Sequence, residues 1–158
     1  MLAAIGIAGV LALMLGAVLQ HRFDYQPCPW CVLQRLTVMV VVVMAAAGAL
    51  IPGLASRILS TFVCLIASIS GVGVALYQHW VAARSASCDL TLADRLISRL
   101  GLADLWPAMF EATARCDEAD RPWLGVPFSL WGALLFALLA LVAALALIRL
   151  LRRDAAPA

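Results

Sequence analysis

The sequence predicts an all-α membrane protein: a four-transmembrane-helix bundle with a short amphipathic surface helix in its second outer loop. Two properties of the whole chain and one of its parts predict this. The 158 residues are 65% hydrophobic with a mean hydropathy of +1.03, well above the roughly half-apolar make-up of soluble domains. Four apolar stretches, 2–19, 32–51, 58–77 and 128–148, approach the roughly 20 residues that cross a bilayer as a helix. Too little chain remains for a soluble domain of ordinary size. A single integral membrane domain over 1–158 is therefore expected, with its chemistry at or in the membrane.

The first stretch, 2–19, lacks a charged leader and a small-residue cleavage site ahead of Gln20-His21-Arg22. It reads as a retained span and not as a removed signal peptide. The four spans leave an outer loop at 20–31, a short loop at 52–57, a long loop at 78–127 and a tail at 149–158. All eleven basic residues are arginine. Arg149, Arg152 and Arg153 crowd the tail and Arg57 stands in the short loop, so the density of cations near span ends assigns both to the cytoplasm. The long loop carries five arginines, Arg84, Arg95, Arg99, Arg115 and Arg121, but spreads them over its length. Loops 20–31 and 78–127 then face outward, in a multi-pass membrane protein. The net charge of +2 and the absence of a basic run give nucleic acid nothing to bind.

Within the long loop, Leu92, Leu96, Ile97 and Leu100 recur at helical spacing among Asp94, Arg95, Ser98 and Arg99. The spacing predicts a short helix, ended by Trp106-Pro107, that lies flat on the membrane surface; packing against the rest of the loop is the plainer alternative. The sequence has no internal repeat.

Cysteine placement carries the chemistry. Cys28, Cys31, Cys88 and Cys116 all fall in the two loops assigned outside, where disulfides persist. Only Cys64 is mid-span, and it reads as a small buried apolar residue. Cys28-Pro29-Trp30-Cys31 is a C-x-x-C pair at the mouth of the second span. Such a pair can be a redox dithiol, half of a zinc site or a structural pair. Zinc commonly takes two closely spaced pairs, whereas Cys88 and Cys116 lie 28 positions apart. The helix start at Cys31 favours a thiolate, and Arg35 follows one turn later on the same face. An arginine inside a span is expensive and is expected to be functional; its plain alternative is snorkelling to headgroups. His79, in Tyr77-Gln78-His79-Trp80 at the end of the third span, can supply a hydrogen bond or proton to a carbonyl undergoing reduction. Its plain alternative is an interfacial histidine, as for His21. Cys88 and Cys116 bracket the surface helix, either as a staple or as an exposed disulfide open to thiol exchange. Thiols gathered where water meets lipid suggest electron transfer between a soluble protein and a lipid-soluble carrier.

Taken together, these features make the chain resemble the DsbB family over essentially its whole length. The residues that carry the resemblance are C-x-x-C followed by Arg35, Tyr77-x-His79, Cys88-Asp89, and Cys116 ahead of Trp123-Leu124-Gly125. The resemblance implies a protein-disulfide:quinone oxidoreductase that reoxidises a periplasmic DsbA-like thiol oxidase and passes its electrons to ubiquinone or menaquinone in the membrane pool. It further implies catalytic roles for Cys28, Cys31, Cys88 and Cys116, with Cys88 forming the mixed disulfide and Cys116 bonding Cys28 between the loops. Arg35 and His79 would flank the quinone, and no metal is expected. The Pro29-Trp30 pair departs from the aliphatic pair of the best-known member, so the redox poise does not carry over. The remaining alternatives are a paralogue serving a specialised DsbA-like partner and a non-enzymatic scaffold held by disulfides or zinc. An inward electron shuttle would need paired cysteines inside spans, and Cys64 has no such partner.

Overall fold

The structure is a computed structural model that describes residues 1–84 and 92–154, the last two without their side chains. Four long helices form the bundle: α1 (Leu2–Phe23), α2 (Pro29–Leu50), α3 (Leu54–Trp80) and α8 (Phe128–Asp154). Each is long and apolar enough to cross a membrane. Between α3 and α8 come a 3-10 turn (Ala82–Arg84), the short helices α4 (Leu92–Arg99), α5 (Leu102–Leu105), α6 (Pro107–Phe110) and α7 (Cys116–Ala119), and a minimal hairpin of β1 (Pro122–Trp123) and β2 (Val126–Pro127).

The long helices outrun the apolar stretches because backbone caps, and not hydrophobicity, end them. α1 continues through Gln20-His21-Arg22 until Asp24 turns left-handed at φ 55°, its N–H returning to the Leu19 carbonyl. α2 starts at Pro29, which suits the first helical position because it has no N–H to satisfy. Gly53 at φ 121° reverses the chain between α2 and α3.

α3 packs most extensively against α8 and α2, and α1 against α2, while α1 meets α8 only sparsely. Ile5, Val38, Val41, Ala45, Cys64, Phe136, Leu139 and Ala143 form the central cluster. Phe136 fills the space beside Gly71, where any Cβ would strike its ring. On α1, Ile7, Leu11, Met14 and Val18 are exposed at helical spacing, a stripe suited to lipid. At the end opposite the C-x-x-C, Arg149 Nη1 reaches Met1 Sδ at 3.4 Å, so the N-terminus meets the arginine-bearing end of α8.

The predicted surface helix exists, with two differences. It ends at Arg99, because Gly101 at φ 61° breaks the chain before Trp106. Its buried residues are Ala93 and Ile97, while Leu92, Leu96 and Leu100 remain exposed. Ile97 packs in a cluster with Val32 and Phe110, so α4 leans one narrow face on α2 and leaves its leucines outward.

Candidate thiol centre and adjoining cavity

The site is built at the N-terminus of α2. The first amide groups of a helix have no intrahelical partner; Pro29 has none to offer, and the next two donate to sulfur. The Cys31 N–H points to Cys28 Sγ at 3.4 Å, which makes Cys28 the N-cap. The Trp30 N–H is directed at the Cys116 sulfur. The Cys28 and Cys31 sulfurs stand 3.0 Å apart, and the Cys28 thiol also bonds Cys116. Cys28 therefore touches both other thiols, all three of them free. Its bond to Cys116, then its bond to Cys31, then burial raise the Cys28 thiol above its ordinary range. The same Cys28 bond lowers Cys116 against the opposing effect of burial, and the Trp30 amide adds to the lowering.

Cys116 comes from a residue far along the chain, and a seam between the two loops holds it there. The amides of Thr113 and Ala114 donate to the Pro27 carbonyl at 3.0 and 3.2 Å. Thr113 Oγ1 donates to Gln26 Oε1 at 2.8 Å, and Tyr25 Oη to the Pro122 carbonyl at 3.2 Å. Arg121 donates to the Asp24 carbonyl and stacks over the Tyr25 ring, 4.9 Å from its centroid. The hairpin turn after Pro122 has Leu124 and Gly125 at φ 53° and 82°, a two-residue reversal that delivers the chain directly into α8.

Beside the thiols lies a cavity of about 330 Å³ where α1 and α8 part, at the lower end of the range of small-molecule sites. Leu13, Gly16, Val38, Leu135 and Phe136 make its walls apolar. Cys31, Gln34, Arg35 and Gln78 gather polar groups in the lining. Arg35 Nη1 donates to Gln20 Oε1 at 2.7 Å and to the Met109 carbonyl at 3.3 Å, both neutral partners that leave its charge uncompensated by them. Ser129 also lines the cavity, and its buried hydroxyl has no hydrogen-bond partner among the described residues.

The structure brings Cys28, Cys31, Cys116 and Arg35 together. Cys88 lies outside the described residues. His79 is bonded to the loop ahead of α8. Its Nδ1 meets Asp120 Oδ2 at 2.9 Å, and Asp120 Oδ1 accepts the Ser129 N–H at 2.8 Å. Among the described residues that line the cavity, His79 is absent and its neighbour Gln78 is present. The histidine thus ties the end of α3 to the start of α8. Cys64 is fully buried in the central cluster, its thiol directed at the Val41 carbonyl at 3.5 Å. Sequence reasoning missed Gln20, Gln34 and Gln78. The available signal was an amide side chain within about a turn of a span end, where an unpaired polar group would be costly.

A bundle of membrane-spanning helices whose loops carry three thiols to one helix start defines a multi-pass membrane protein of disulfide chemistry. The family model for disulfide bond formation protein DsbB matches residues 1–146, and the chain belongs to the DsbB family. It is 32% identical to disulfide bond formation protein B of Dechloromonas aromatica (strain RCB) over 151 residues, covering 92% of this chain and 88% of that protein. It is 30% identical to disulfide bond formation protein B 1 of Pseudomonas syringae pv. syringae (strain B728a), over 91% of this chain and 86% of the relative. Disulfide bond formation protein B of Polaromonas sp. (strain JS666 / ATCC BAA-500) is also 30% identical, over 96% and 92%.

Proposed function

We propose that this protein is a thiol:quinone oxidoreductase of the bacterial inner membrane, which reoxidises a periplasmic DsbA-like dithiol partner. The observation that carries the reading is the contact of Cys28 with both Cys31 and Cys116 beside the Arg35 cavity. One central sulfur in contact with two others is what a disulfide needs to change partners.

The relay begins when the reduced partner's thiolate attacks Cys88 of a Cys88–Cys116 disulfide. That bond breaks and Cys116 leaves as a thiolate. Cys116 then attacks Cys28 of a Cys28–Cys31 disulfide, forming Cys116–Cys28 and releasing Cys31 as a thiolate. The partner's second thiolate displaces Cys88 and the partner departs oxidised. Cys88 attacks Cys116, restoring the first pair and freeing Cys28. The Cys28–Cys31 dithiol closes to its disulfide as two electrons and two protons pass to the acceptor. Quinone, held as the lipid-soluble substrate, supplies an electron sink that enters and leaves through the bilayer.

The residues present fit such an acceptor. Apolar walls suit a ring and its tail, Cys31 lines the same cavity, and the unpartnered Ser129 hydroxyl is a donor for an oxygen. Arg35 supplies a fixed positive charge that does not titrate. His79, next to Gln78 in the chain, supports the site through its bond to Asp120. The crowding of Arg57, Arg149 and Arg152 at the far end of the bundle supports a periplasmic position for the thiols.

The test is quinone reduction by the purified protein with a reduced thioredoxin-like oxidase as donor, comparing the intact chain with Cys31→Ser. Turnover that disappears in the variant is the expected result. Absence of turnover with both ubiquinone and menaquinone in the intact protein would overturn the reading.

A further inference from the structure

Two glutamines in the bundle take no part in that relay. Gln78 on α3 is completely buried, and Gln34 on α2 lies beside it. Gln34 Nε2 donates to Gln78 Oε1 at 2.6 Å, and Gln78 Nε2 donates to Cys31 Sγ at 3.1 Å. Gln34 Oε1 occupies the space in which a Cβ on residue 132 would stand, so α8 offers Gly132 there. Three helices thus cooperate to aim one amide at one sulfur.

Burying two amide side chains among apolar helices is costly unless their hydrogen bonds are made. Here the bonds form a directed chain that ends on the Cys31 sulfur and not on another structural group. We propose that Gln78 is a catalytic hydrogen-bond donor to the Cys31 thiolate, and that Gln34 is the positioning residue that orients it. This assignment rests on the thiol relay above and adds a group to it.

The chemistry explains the choice of an amide. When Cys116 attacks Cys28, the Cys28–Cys31 bond breaks and its electron pair departs on Cys31, with no proton required. A donor already aimed at that sulfur stabilises the leaving thiolate as the bond opens. A carboxylate at position 78 would place negative charge against it, whereas an amide donates while remaining neutral at every working pH. Arg35 contributes charge from within α2, and Gln78 contributes direction from α3. Among the described residues, the other titratable and charged groups around Cys31 are Cys28 on its own helix, Cys116 on α7, Asp94 on α4 near Cys116, and the His79–Asp120 pair next to Gln78 in the chain. α1 offers the neutral Gln20, already bonded to Arg35.

The experiment uses the full-length reduced protein in nanodiscs. Cys31 alkylation by N-ethylmaleimide is followed against pH with peptide-resolved mass spectrometry, and thermal unfolding is recorded in parallel. Gln78→Leu is expected to move the alkylation midpoint up by about one pH unit, a tenfold loss of thiolate below both midpoints. Gln34→Leu, which leaves the donor present but unguided, should move it the same way by less. Gln78→Glu should move it at least as far as Gln78→Leu. If Gln78→Leu does not fold, the Gln34→Leu midpoint decides alone. A folded variant with an unchanged midpoint, at position 78 or, failing that, at 34, overturns the proposal. The readout needs neither partner nor quinone. Turnover with an unmoved midpoint would sink only the glutamine assignment, and a moved midpoint without turnover would sink only the relay.

Discussion

Cys28, Cys31 and Cys116 share one helix start but not one character. The hydrogen bond between Cys28 and Cys116 holds the first thiol toward its protonated form and eases the second toward thiolate. The direction matters in the reduced protein because thiolate is the nucleophile, which makes Cys116 the readier of the two to react. With the Cys116 value lowered, its thiolate is present below the ordinary thiol range near 8.5 and is lost only as pH falls through the lowered value. In reduced protein near pH 7, Cys116 should therefore be alkylated before Cys28. Cys28→Ala removes the hydrogen-bond partner and should shift Cys116 alkylation to higher pH, read by peptide mass spectrometry over a pH series. A Cys116 profile that does not move would remove the Cys28 bond as the cause. The chemistry of Cys31 and Arg35 was legible because i and i+4 share a helix face. The contact between Cys116 and Cys28 was not, since 88 positions separate them and no local pattern encodes a loop folding back. His79 was legible as a residue at the right depth, but its partner Asp120 lies 41 positions away.

Among the elements, the long helices were read from their apolar content, which marks the part that lies in lipid and is silent about where the backbone stops turning. Capping supplied the rest: Asp24 ends α1, Pro29 starts α2, and Gly101 cuts α4 short of Trp106. α7 was invisible to periodicity because four residues make a single turn. Yet α7 carries Cys116, and what holds it is the seam between the loops. Arg121 contributes there through its bond to the Asp24 carbonyl and its stacking on Tyr25. Net hydrogen bonds of about 1 kcal/mol and exposed cation–π contacts of about 0.5–1 kcal/mol put the loss in Arg121→Ala at about 1–2 kcal/mol. That is a 5–30-fold change in an equilibrium. The effective concentration of Cys116 at Cys28 should fall by that factor. It can be measured as the glutathione equilibrium of the Cys28–Cys116 bond with Cys31 and Cys88 replaced by serine. An unchanged equilibrium would mean that the short hairpin and α7 position the thiol without the arginine.

At the scale of the whole molecule, the thiols lie at one end of the bundle and the arginines that flank its short loop and tail lie at the other. The thiols, the cavity mouth and the loop seam gather where α1 and α3 end and where α2 and α8 begin. Arg57 in the first turn of α3 and Arg149 and Arg152 at the end of α8 occupy the other end, with the N-terminus. Arginine near span ends stays on the cytoplasmic side, and disulfides persist on the oxidising side. The proposed orientation, with the thiols toward the periplasm, accords with both rules. A relay that draws electrons from a secreted dithiol works only in that orientation, because the cytosol would keep Cys28 and Cys31 reduced. In spheroplasts, a chain retaining Cys116 with the other cysteines replaced by serine should react with a membrane-impermeant maleimide from outside. The same cysteine-free background carrying Ala55→Cys, next to Arg57 at the opposite end, should react only after permeabilisation. The reverse pattern would place the thiols in a reducing compartment and end the oxidase reading, however well the purified protein reduced quinone. Labelling of both from outside would break the four-span topology itself, since Ala55 and Cys116 are separated by the length of α3.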